Sequence, residues 1–88
     1  MKMKDEYVKT ELGEDALLVP IGEEGNQFHG VILLNETAAF IVDRLRQDVT
    51  EEDLVQALLN TYDVKHNVAE KHVRSVLEKL RKVNALTD

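Results

Sequence analysis

No cysteine occurs among the 88 residues, which excludes disulfide staples, thiolate zinc sites and thiol nucleophiles. That absence fits a cytoplasmic address, the one we expect. Long apolar runs are also missing: none approaches the roughly 20 residues of a membrane helix, and the N-terminal residues lack a signal-peptide core, so no membrane partner is expected. Positive charge is scarce, with 11 Lys and Arg against 17 Asp and Glu and a formal net charge of -6. A duplex-binding protein needs a basic face to neutralise phosphates, so nucleic acid is not an expected partner. Tryptophan is absent and proline occurs once. A chain this short buries about 60% of its unfolded surface, which predicts one domain over residues 1–88 with no cleft between domains.

What is present changes character at Asn35. Before it, apolar residues cluster in short runs; after it they recur at helical spacing. Residues 7–12 (YVKTEL) alternate, with Val8, Thr10 and Leu12 in the apolar phase of a half-buried strand. Gly13-Glu14-Asp15 marks a turn, and residues 16–21 (ALLVPI) form a second strand that Pro20 places at an end or an edge. Residues 22–26 (GEEGN) read as a loop, and Phe28, His29, Gly30, Val31, Ile32 and Leu33 as a third strand with an interior glycine.

Asn35 is a good N-cap for a first helix ending near Gln47, with Ala38, Ile41, Val42 and Leu45 on one face. Thr50-Glu51-Glu52-Asp53 resembles a capping box ahead of a second helix built on Leu54, Leu58 and Tyr62. Asn67 with Glu70 gives a similar start to a third helix, whose stripe runs through Val73, Val76, Leu77, Leu80 and Val83. The fold predicted is α+β: a three-stranded antiparallel sheet followed by three helices, winged-helix-like with its strands at the front. Between residues 68 and 83, five basic residues face two acidic ones, a local net charge of +3 in an acidic chain.

Catalytic chemistry has little to stand on. His66 and Glu70 share a helix face, but His72 falls on another and no third ligand is near, so no metal site is predicted. Acids at Glu51, Glu52 and Asp53 are explained by the helix macrodipole. Gly22 and Gly25 enclose two glutamates with no lysine beside them, a poor phosphate cradle. Neither an enzyme nor a cofactor is expected.

Three segments in order, residues 33–41 (LLNETAAFI), 48–54 (DVTEEDL) and 58–64 (LLNTYDV), closely resemble the PqqD family of pyrroloquinoline-quinone synthesis. Related domains serve peptide-modifying systems as precursor-peptide recognition elements. The resemblance spans about residues 5–86. It implies a non-catalytic adaptor, a peptide chaperone of natural-product biosynthesis. Such an adaptor binds the leader of a ribosomally made precursor and presents it to a modifying enzyme, often a radical-SAM enzyme. It further implies that the leader adds as a strand to strand three beside helix three, by β-augmentation. On this chain the peptide-binding residues would be Phe28, His29, Gly30, Val31, Ile32 and Leu33 on the strand. One shoulder of helix three would add Val68, His72, Ser75, Val76 and Lys79. The other shoulder, with Glu70, Arg74 and Arg81, is the alternative wall.

Each of these residues also has a plainer reading, Val68 and Val76 as core, His72 as a boundary residue and the lysines as a solvated face. Two other functions compete. A winged-helix-like DNA regulator would use Lys71, Arg74 and Lys82, against the net charge and the acids Glu23 and Glu24 in its wing. A dimerisation module would use the same strand edge, so monomer and homodimer both remain open.

Overall fold

The computed structural model describes residues 1–21 and 31–87. Along the chain these form β1 (Lys2–Met3), β2 (Tyr7–Leu12), β3 (Asp15–Pro20), β4 (Ile32–Leu34), α1 (Glu36–Arg44), α2 (Glu51–Thr61), α3 (His66–Lys82) and β5 (Leu86–Thr87). Strands β2, β3 and β4 make an antiparallel sheet in that order, followed by the three helices, the α+β arrangement read from the sequence. A second, two-stranded sheet was not foreseen: Lys2 pairs with Thr87 and Met3 with Leu86.

Gly13 and Glu14 turn β2 into β3, with Gly13 at φ 66, a backbone angle that hairpin turns favour and side chains resist. The strand phase differs from expectation. Tyr7 is buried and Lys9 faces inward, whereas Val8 is 44% and Leu12 56% exposed, so the apolar phase of β2 lies on the outer face. Tyr7 explains the inversion, because its hydroxyl donates 2.7 Å to the Val83 carbonyl and its ring joins the core.

Asn35 turns sheet into helix in one residue: its side-chain oxygen accepts from the Ala38 amide at 2.9 Å. Thr50 and Asp53 close a full capping box, each side chain accepting from the other's backbone N–H at 3.1 and 2.9 Å. The third predicted cap is wrong. α3 starts at His66 behind Lys65, with no side-chain cap bond, and Asn67 lies inside the helix. Its far end is a Schellman turn: Asn84 sits at φ 57, its amide reaches the Arg81 carbonyl and that of Ala85 the Leu80 carbonyl.

The helices pack on one another and α1 lies against β3 and β4. Leu18, Ile41, Leu45, Leu54, Leu58, Leu77 and Leu80 are fully buried, each burial worth about 1.5–3 kcal/mol. Fully buried Ala16, Ala69 and Ala85 sit among them, so the layers meet closely. Among the described residues no helix is long and apolar enough to cross a membrane.

Candidate functional site: a groove between an open strand and a helix

β4 has β3 on one side, and among the described residues no strand pairs with its other side. Register sets Leu17 opposite Leu33 and Leu18 opposite Ile32. Side-chain alternation follows: Leu34 is buried and Ile32 packs on the core, while Leu33 is 61% exposed. An edge of this kind offers backbone N–H and C=O groups to a further strand.

Beside it runs α3, and the gap is a groove of about 190 Å³. His72, Ser75, Val76, Lys79 and Leu80 line its helix side, at the spacing of three and four that stacks side chains on one helix face. Ile32, Leu33 and Leu34 form the strand side, and Asp15, Asn35, Thr37 and Ala38 complete the wall. Val76, Leu80, Leu34 and Ala38 are buried and make an apolar floor, with polar groups of both charges above it.

Of the residues read from the sequence, Ile32, Leu33, His72, Ser75, Val76 and Lys79 meet in this groove. Val31 is exposed and precedes the strand, and Val68 lies on α3 outside the groove lining. Phe28, His29 and Gly30 lie outside the described residues. Leu34, Leu80, Ala38, Thr37, Asn35 and Asp15 were not anticipated as wall. Leu80 was visible as part of the helical stripe, whereas nothing local marks Asp15.

The other shoulder of α3 turns elsewhere. Arg74 lies 3.8 Å from both Glu51 and Glu70, His66 Nδ1 is 3.1 Å from Glu70, and Arg81 approaches the Met1 sulfur at 3.8 Å. That shoulder faces α2 and the N-terminal strand. Arg74, one of three residues assigned to a DNA contact, is thereby engaged with carboxylates. Among the described residues no three His, Asp or Glu side chains gather as a metal site.

An open strand edge beside an amphipathic helix, with a groove lined by both between them, defines a small α+β domain. Residues 17–86 match the family described as Coenzyme PQQ synthesis protein D (PqqD), and the chain belongs to that family. No curated protein matches it. Two solved structures share its fold. One is described as TbiB1 in complex with the TbiA(beta) leader peptide, with TM-score 0.77 and 21% identity over 100% of both chains. The other is a lasso peptide synthetase B1 complexed with the leader peptide, with TM-score 0.74 and 24% identity over 99% of this chain and 96% of that one.

Proposed function

We propose that this protein is a peptide-binding adaptor that takes up the leader of a ribosomally made precursor by strand addition to β4 and presents it to a modifying enzyme. The observation that carries the reading is the groove: an open edge, an apolar floor and the polar row His72, Ser75 and Lys79 along one helix face. An added strand would exchange backbone hydrogen bonds with β4 and set alternate side chains against α3. Two similar folds are described as leader-peptide complexes, and family membership supports the same use. The adaptor itself performs no catalysis in this reading, and the enzyme it serves, radical-SAM or another, acts on the presented peptide.

On the helix side of the groove Lys79 favours a leader with an acidic residue beside it, Asp15 being the one acid of the lining. An exposed pairing there contributes about 0.2–1 kcal/mol, so Lys79→Glu should weaken an acidic leader roughly two- to fivefold. The test is an NMR titration with the leader of a precursor encoded beside this chain, at low and high salt. Amides of Ile32, Leu33, Leu34 and of α3 from His72 to Leu80 should move; shifts confined to α2 would overturn the site.

A further inference from the structure

A second cleft, of about 320 Å³, opens between β1, β2 and α1, and it shares no lining residue with the groove. Its floor is apolar, made by Tyr7, Leu18 and Val42. Four basic residues line it, Lys2, Lys4, Lys9 and Arg46, against the single acid Asp5, in a chain whose net charge is -6.

These cations do not all play one part. Lys9 Nζ is held at 2.7 Å by Glu11 and 3.0 Å by Asp43, so its contribution is mainly the aliphatic stem along the wall. Arg46 is 71% exposed on its side chain, and Asp43 at 3.8 Å is too distant for a good hydrogen bond. Lys2 is exposed at the rim. An apolar floor beside the exposed cations Lys2 and Arg46 suits a segment that offers one apolar side chain and neighbouring carboxylates.

We propose that this cleft is a docking site for an acidic segment of a partner protein. Charge complementarity selects that occupant: a basic segment would meet like charge at Lys2 and Arg46, and a purely apolar one would leave both cations beside an uncharged surface. Because the cleft and the groove are built from different residues, both can be filled at once.

The probe is a hexaglutamate peptide ending in leucine, titrated into the whole chain and followed by amide shifts, with the hexaglutamine analogue as control. No leader is present, so the outcome is independent of the groove reading. Shifts should map to residues 2–9, Val42 and Arg46, shrink at high salt and be absent with the glutamine analogue. The double variant Lys2→Glu/Arg46→Glu should weaken binding roughly tenfold, and Lys2→Gln/Arg46→Gln by less. The amide spectrum of each variant also reports whether it is folded. Shifts confined to the basic helix α3, equal response to the glutamine analogue, or unchanged affinity in both folded variants would overturn the proposal.

Discussion

Lys9 stands where strand alternation asks for an apolar side chain. Its side chain is only 6% exposed, and two carboxylates make the position tolerable. Burial pulls the pKa of its amine down, but the hydrogen bonds and charges of Glu11 and Asp43 outweigh it and leave the pKa raised. A raised lysine pKa means that the folded state holds the proton more tightly than the unfolded one. The stabilisation is therefore complete below the unfolded lysine pKa and is lost as pH rises through the folded value. Urea midpoints measured from neutral to strongly alkaline pH should fall at the top of that range, and Lys9→Met should flatten that part of the decline. An equal alkaline decline in the variant would show that Lys9 is not its source.

At the scale of elements, the two edges that the sheet has among the described residues are not alike. β2 carries the inward-facing charge of Lys9, with exposed Glu11 in the same alternation phase, the kind of charge that obstructs a further strand, whereas β4 presents Ile32, Leu33 and Leu34. The asymmetry favours β4 over β2 as the edge for the strand addition proposed above. Replacing both β2 charges, Lys9→Val/Glu11→Val, should create a self-associating edge, seen as concentration-dependent elution on size exclusion. A strictly monomeric double variant would mean that the charges do not guard β2.

Legibility in the sequence followed locality at this same scale. The caps at Asn35 and Thr50 were readable because a cap is a contact over three residues. At the third helix the same pattern, Asn67 with Glu70, misled, because Lys65 holds the extended turn and Asn67 is already helical. The phase of β2 was misread because the Tyr7 hydroxyl answers to Val83, 76 positions away. The pairing of β1 with β5 has no periodicity to betray it, being two residues on each side. The groove was half legible: spacing groups His72, Ser75 and Lys79 on one helix shoulder, the family resemblance puts that shoulder beside the third strand, and the part of the wall at Asp15 and Thr37 exists only once the layers are assembled.

For the molecule as a whole, a domain of this size has about 5–15 kcal/mol of stability at most, so few substitutions act on one property alone. The buried alanines illustrate this. Ala16 has no exposed surface and lies across from Leu34 in the register that positions β4, while Ala69 and Ala85 admit α3 and the segment after it to the same core. These methyl groups fill the core where nothing larger is held, and that of Ala16 stands across the ladder from Leu34, a wall residue of the groove. Ala16→Leu should cost about 1–3 kcal/mol by overpacking. It should also alter leader affinity more than an equally destabilising change in α2, as calorimetric titration of both variants would reveal. Through Leu34, a residue outside the lining thus bears on what the groove can admit.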